Sequence, residues 1–257
     1  MIAYLLILVI VMFLEESLIF FPARYPIGDW RPYALEPEDA WFRAADGVEL
    51  HGWLVAHPRP RGVVLLCHGN AGNITHRDHV LRQLRDVVGV SVLIFDYRGY
   101  GRSRGSPNEP GVLADGRAAA QWLEQRTGLR PEQIILMGES LGCSVAVDLA
   151  ADRGARALVL ENAFSSAPDV GAYHYPWLPI RWLMRTRLDA AGKIGRYHGP
   201  LLQSHGDADT VVPFRFGRRL FEAANEPKQF LTLPGLDHND LRDRAYYEAL
   251  RKFVEGL

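Results

Sequence analysis

The sequence has little cysteine: two residues in 257, Cys67 and Cys143. Both lie inside apolar segments, so a disulfide framework is excluded and buried thiols are expected. No Cys/His spacing resembles a zinc site, and the chemistry read below requires no metal or cofactor. Charge of either sign is scarcely in excess: the formal net charge is −1, which leaves no basic surface for nucleic acid. No basic stretch precedes the N-terminal apolar run and no small-x-small site follows it, so a signal peptide is not expected. Nor is there length to spare. At 48% hydrophobic and 23% charged, 257 residues fit one large α/β domain and little more.

What is present starts with that apolar run, Met1 to Leu14, followed by Glu15-Glu16 and Leu18-Ile19-Phe20-Phe21-Pro22. As a helix, the uninterrupted part spans about 21 Å, short of the ~30 Å hydrocarbon core of a bilayer. Extension to Phe21 adds length but carries two carboxylates with it. Three readings remain: a short membrane anchor, a helix lying in one leaflet, or a helix packed on the domain or on a partner. A terminal helix apolar on every face is least natural as a buried one. Residues 1–21 are therefore read as a membrane-associated segment, with the side of the membrane unassigned, and residues 22–257 as the folded domain.

Within the domain, apolar runs of strand length recur, each ending in a turn. Gly62–Cys67, Val90–Phe95, Ile134–Met137 and Ala157–Leu160 are continuous apolar segments of the kind buried in parallel sheets. Ala40–Arg43 and Leu50–Val55 flank Asp46-Gly47 and predict a β-hairpin, with His51 a strand residue. Helices are expected over His76–Val88, Gly111–Arg126, after Leu141 and over Phe214–Ala224.

The stretch with most chemistry is Gly138-Glu139-Ser140-Leu141-Gly142, between the Ile134 strand and a small-residue helix. A serine between two glycines on a strand-to-helix turn is a nucleophile elbow: glycine removes side chains that would crowd the turn. Taken alone, it is a glycine-rich turn with an idle serine. The other turns supply what such a serine needs. His68-Gly69-Asn70-Ala71-Gly72-Asn73 follows an early strand, where one oxyanion N–H is expected, assigned to Asn70; Leu141 supplies the second. His68 is read as a structural residue of that loop. Asp96 and Arg98, in the next turn, are read as a pair beneath the site. Pro200–His205 runs into Gly206-Asp207-Ala208-Asp209, which offers two acids. Asp209 is the choice and Asp207 the fallback, the other being a turn residue. His238, between the last strand and a last helix opening near Asp240, is the base. The order Ser, Asp, His, each just after a buried strand, brings these loops to one edge of a parallel sheet. Phe164–Tyr197 breaks the βα rhythm and is rich in Pro, Trp and Tyr. It is read as a lid over an apolar acyl pocket, with core packing and membrane contact as the alternatives.

These residues resemble the α/β-hydrolase superfamily. The matches are Leu18–Pro22, His68–Asn73, Asp96-Tyr97-Arg98-Gly99-Tyr100-Gly101, Gly138–Gly142, His205–Pro213 and the late His238. Within the superfamily the chain resembles the BEM46-like serine hydrolases (the ABHD13 and ABHD17 types), which carry an N-terminal membrane segment. The resemblance implies an α/β-hydrolase fold, a mostly parallel sheet with helices on both faces and a short lid. It implies Ser140 as nucleophile, His238 as base, and Asp209 as acid, the family's acid being the second aspartate of its His-Gly-x-x-Asp motif. The expected reaction is hydrolysis of a carboxylic ester, thioester or lipid ester through an acyl-enzyme. The rivals are a peptidase of the prolyl-oligopeptidase kind and a non-catalytic membrane-associated binding protein on the same fold.

Overall fold

A computed structural model describes residues 2–257, without the side chains of Ala3 and Leu5; Met1 lies outside the described residues. The strands are β1 (Phe21–Pro22), β2 (Glu38–Arg43), β3 (Glu49–Val55), β4 (Val63–Cys67), β5 (Ala71–Gly72), β6 (Ser91–Phe95), β7 (Ile134–Glu139), β8 (Ala157–Glu161), β9 (Leu201–Gly206) and β10 (Lys228–Leu233). The α-helices are α1 (Ile2–Ile19), α2 (Asp78–Gln83), α3 (Glu109–Thr127), α4 (Leu141–Arg153), α5 (Ala167–His174), α6 (Ile180–Leu183), α7 (Ala191–Ile194), α8 (Phe214–Ala223) and α9 (Arg244–Glu255).

Eight strands form one sheet in the order β2-β3-β6-β4-β7-β8-β9-β10. The β2–β3 hairpin is antiparallel, β3 is antiparallel to β6, and every other pairing is parallel. This is the α/β-hydrolase fold. The period-two alternation of strands distributes side chains to two apolar layers. On β4, Leu65 and Cys67 join the layer containing α3 and α4, while Val64 and Leu66 face the layer containing Leu81 of α2 and Leu250 of α9. A strand wanted by both layers must be apolar, and β4 is so throughout and β6 from Val92 to Phe95. Helix ends follow their local chemistry: Asn108 caps α3 by accepting from Gly111 N–H at 2.8 Å, and Gly128 ends it at φ 73°. Both cysteines are buried and unbridged.

Two expectations are corrected. Arg98 does not pair with Asp96. Its guanidinium bonds Asp115 on α3 and Asp46 in the β2–β3 turn, each at 2.8 Å, while Asp96 accepts from Ile74 N–H at 3.0 Å. Asp115 is fully buried, and Arg98 supplies its compensating charge. The last helix opens at Arg244 and not near Asp240. Asp243 is its cap, accepting from Tyr246 N–H at 2.9 Å, so the loop carrying His238 is longer than expected.

The N-terminal helix lies against the domain. Leu8, Val11, Glu15 and Ile19 recur at helical spacing and form its inward face; Leu6, Ile10 and Phe13 lie exposed. Glu15 is buried there. Its carboxylate accepts from the backbone N–H of Thr186 at 2.6 Å and of Arg185 at 3.0 Å. Phe20 then enters the core. Among the described residues, no helix is long and apolar enough to cross a membrane.

Burial pushes the Glu15 carboxyl up, but the N–H groups of Thr186 and Arg185 outweigh it and hold it below the usual glutamate range. A carboxyl lowered by folding adds stability that is complete above its unfolded pKa of about 4.3 and is lost as pH falls through the lower folded value. Glu15→Gln is therefore expected to lower Tm by a few degrees at pH 7. In a pH series of thermal melts, the gap to the parent should close below about pH 4.

Candidate active site

The elbow is a strained point of the backbone. Ser140 sits at φ 51°, ψ −116°, a conformation that L-residues rarely adopt and that costs on the order of 1–3 kcal/mol. Its N–H bonds Glu161 O on β8, and its carbonyl accepts Cys143 N–H, so the strain is held from both sides. The flanking glycines are steric requirements. A Cβ on Gly138 would lie 2.5 Å from Cys143 Cα, and one on Gly142 would lie 2.0 Å from Cys67 O. The second contact brings α4 against the end of β4, beside the loop that carries Asn70.

Ser140, His238 and Asp209, three of the sequence-derived residues, form one line of contacts. His238 Nε2 lies 3.0 Å from Ser140 Oγ, and His238 Nδ1 lies 2.7 Å from Asp209 Oδ2. With Nδ1–H donating to the carboxylate, Nε2 is free to accept the serine proton. Asp209 is itself fixed: its Oδ1 accepts from Val211 N–H at 2.9 Å and Val212 N–H at 2.7 Å. Burial pushes its carboxyl up, but bonds to His205 and His238 and the charge of His238 hold it far below the usual carboxylate range. Asp207 has no hydrogen bond to His238 or Ser140 among the described residues. Its Oδ1 accepts Gly235 N–H in the adjoining turn.

Asn70 and Leu141 line the same cavity as Ser140. Neither backbone N–H has an acceptor among the described residues, as an oxyanion hole requires. The Asn70 loop is gripped from the N-terminal segment. Asn70 Nδ2 donates to Ile19 O at 2.8 Å, Phe21 N–H donates to Asn70 O, and β1 pairs with β5. His68 is fully buried at the foot of the loop. Burial and the Arg77 charge push its pKa down to about 4, so it is uncharged near neutrality. Arg77 pairs bidentately with Glu139, the residue before the nucleophile, at 2.7 and 3.0 Å.

The cavity over Ser140 has a volume of about 530 Å³, within the ~300–1,000 Å³ range of small-molecule sites. Its roof is the 164–197 insertion, folded as α5, α6 and α7, with Phe164, Val170, Leu178 and Met184 turned inward. Its side wall is α1.

Residues 58–194 match the family described as serine aminopeptidase, S33 (Hydrolase_4). The chain belongs to this family of α/β hydrolases. An uncharacterised protein of Mycobacterium tuberculosis is 40% identical, over 93% of this chain and 87% of its own. The α/β hydrolase domain-containing protein WAV2 of Arabidopsis thaliana is 30% identical, over 94% and 87%. Among solved structures, the Pyrococcus furiosus esterase Pf2001 superposes with a TM-score of 0.74 at 20% identity, over 93% of this chain and 97% of that one. That likeness is one of fold.

Two features of the hydrolase site escaped the sequence reading. His205 is buried beside the acid, with Nε2 2.9 Å from Val212 O and 3.3 Å from Asp209 Oδ2; its place next to the Gly206–Asp209 turn was the available signal. The wall role of α1 was signalled by Leu8, Val11, Met12 and Glu15 falling on one helical face, a pattern hidden by apolar residues on the other faces.

Gly142→Ala should be poorly tolerated, because the obstacle is the backbone carbonyl of Cys67, which cannot swing away. A loss of about 1–3 kcal/mol or more is expected in urea unfolding, with a matching loss of Ser140 reactivity. Gly128→Ala, where a Cβ meets nothing within 4 Å but φ is 73°, should show only the smaller backbone cost.

Proposed function

We propose that the protein is a serine acyl hydrolase that cleaves carboxylic esters of apolar acyl chains through an acyl-enzyme, and that it is a BEM46-like member of its family. The observation that carries this reading is His238 lying between Ser140 Oγ and Asp209, with the serine opening into an apolar cavity. His238 Nε2 takes the Ser140 proton as Oγ attacks the ester carbonyl. The N–H groups of Asn70 and Leu141 hold the oxyanion, each worth roughly 2.7–4 kcal/mol by analogy with such donors elsewhere. Asp209 fixes the His238 ring and stabilises its charged form. The tetrahedral adduct collapses, and the leaving alcohol takes its proton from His238. A water then attacks the acyl-enzyme with His238 again as base, releasing the acid and restoring Ser140.

Fold is shared across many chemistries, so the substrate class is argued from the cavity. An aminopeptidase must hold a charged α-amino group near the scissile bond. Among the described residues the one acidic residue lining the cavity is Glu15, and both its carboxylate oxygens accept backbone N–H bonds from the lid. An acyl chain asks only for apolar walls, which the cavity has. A thioester of the same acyl group fits the same walls.

Membrane association is part of the proposal. Ile2, Phe13 and Trp182 are each more than four-fifths exposed, and Phe21, Tyr175 and Trp177 are more than half exposed. All belong to α1, the segment just after it, or the lid. Such aromatic and aliphatic surface is supported more readily at a lipid interface than in water.

Ser140→Ala is expected to lower kcat/KM on p-nitrophenyl esters by at least about 10³-fold and to abolish fluorophosphonate labelling. Asp209→Asn should lower kcat by about 10⁴-fold, while Asp207→Ala should remain labelled at a rate near the parent's. Full esterase activity in folded Ser140→Ala protein would refute the assignment. An inactive Asp207→Ala beside an active Asp209→Asn would move the acid.

A further inference from the structure

Resting on the acyl-hydrolase reading above, we infer that α1 is the specificity wall of the acyl pocket, and that Val11 and Leu8 on its inward face set the acyl chain length the enzyme accepts. Four observations carry this. First, Leu8, Val11, Met12, Glu15, Leu18 and Ile19 line the same cavity as Ser140 and Leu141. They follow the i, i+3, i+4 spacing of a single helix face. Second, the helix has a fixed polarity relative to the nucleophile. Its last carbonyls approach the oxyanion loop, since Asn70 Nδ2 donates to Ile19 O at 2.8 Å. Leu8 therefore marks the far end of the wall.

Third, the helix is fastened to the lid within the cavity stretch and again beyond its far end. Glu15 accepts the backbone N–H groups of Arg185 and Thr186, and Arg185 Nη2 donates to Met12 O at 2.9 Å. At the other end, Tyr4 OH donates to Trp177 O at 3.0 Å. A wall so held keeps a defined distance from the lid and can discriminate by size. Fourth, among the described residues the charged group of the wall is Glu15, and it is consumed by the lid backbone. An apolar chain is the occupant that such a channel suits.

The wall also sets a length scale. From Ile19 to Leu8 a helix rises about 16 Å, and from Ile19 to Val11 about 12 Å. Carbon–carbon bonds of about 1.5 Å advance an extended chain by roughly 1.3 Å each. Val11 should thus be met by a chain of roughly nine carbons and Leu8 by one of roughly twelve. Filling the two positions should cut the accepted length at two different points, in that order, which a general loss of stability would not do.

The test is kcat/KM of the full-length protein on p-nitrophenyl esters from butanoate to tetradecanoate, kept below their aggregation limits. Val11→Trp is expected to lower the decanoate-to-butanoate ratio by at least about tenfold. Leu8→Trp should spare that ratio more and lower the tetradecanoate-to-butanoate ratio by a similar factor. Ile10→Trp, on the exposed face of the same helix, is the control and should leave both ratios within about twofold. Unchanged ratios in folded Val11→Trp and Leu8→Trp protein would overturn the inference. So would an equal shift in Ile10→Trp, which would place the effect outside the pocket. If the parent protein hydrolyses no ester and Ser140 resists fluorophosphonate, the acyl-hydrolase reading itself fails; activity with unaltered ratios removes the wall alone.

Discussion

The close contact between Gly142 and the carbonyl of Cys67 is the constraint on which the rest of the site depends. It lets α4 start directly over the end of β4, and it sets the turn in which Ser140 must hold φ 51°. A strained serine is stable only if its surroundings over-determine it. Here the parallel register of β7 with β4 and β8 does so, together with the bonds from Ser140 N–H to Glu161 O and from Cys143 N–H to Ser140 O. The same contact puts the N–H of Leu141 next to the loop that follows β4. Ser140, Leu141 and Asn70 therefore share one rigid origin, and His238 and Asp209 are brought to it by the loops after β10 and β9; under the proposed function these are nucleophile, oxyanion donors, base and acid.

A second layer of order comes from the N-terminus. The last turn of α1 and the strand after it pair with the Asn70 loop, and Glu15 pairs with the backbone of the lid. The helix thus touches both the Asn70 loop and the lid. The Glu15 bonds go to lid main-chain N–H groups, and the Asn70 and Arg185 side chains donate back to carbonyls of the helix, at Ile19 and Met12. Under the proposed function, whatever positions α1 also positions the catalytic turn. A membrane surface that took up Phe13 and Trp182 would act on the site through this geometry.

The sheet and the candidate site were legible in the sequence because both are written in local patterns. Continuous apolar runs mark strands covered on two faces, and the glycines of 138 and 142 mark a backbone that cannot accept side chains. Chain position makes Asp209 the choice over Asp207, and the family pattern supports it. The structure gives the physical difference: Asp209 is fixed by the Val211 and Val212 N–H groups while Asp207 closes a turn onto Gly235. The pairing of Arg98 is not legible in the sequence, because its partners, Asp46 and Asp115, are distant in the chain while Asp96 is adjacent. The role of Glu15 was hidden for the converse reason. A carboxylate at the end of an apolar run reads as the point where a membrane segment stops, whereas its partners are backbone N–H groups that leave no mark in a sequence.

That last case also explains why a helix so uniformly apolar carries an acid on its inward face. An apolar helix lying on an apolar lid has many nearly equivalent placements, because burial is non-directional and roughly proportional to area. It could rotate or slide by a residue and lose little. A buried carboxylate permits no such freedom: moved from the Arg185 and Thr186 N–H groups, it would be left unpaired at a cost of several kcal/mol. Glu15 therefore selects one register from many, as a polar residue in an apolar helix seam does elsewhere. With the register set, Leu8 and Val11 face the cavity and Ile10 and Phe13 face away. A single charged side chain thus divides the helix into a pocket wall and an outer surface.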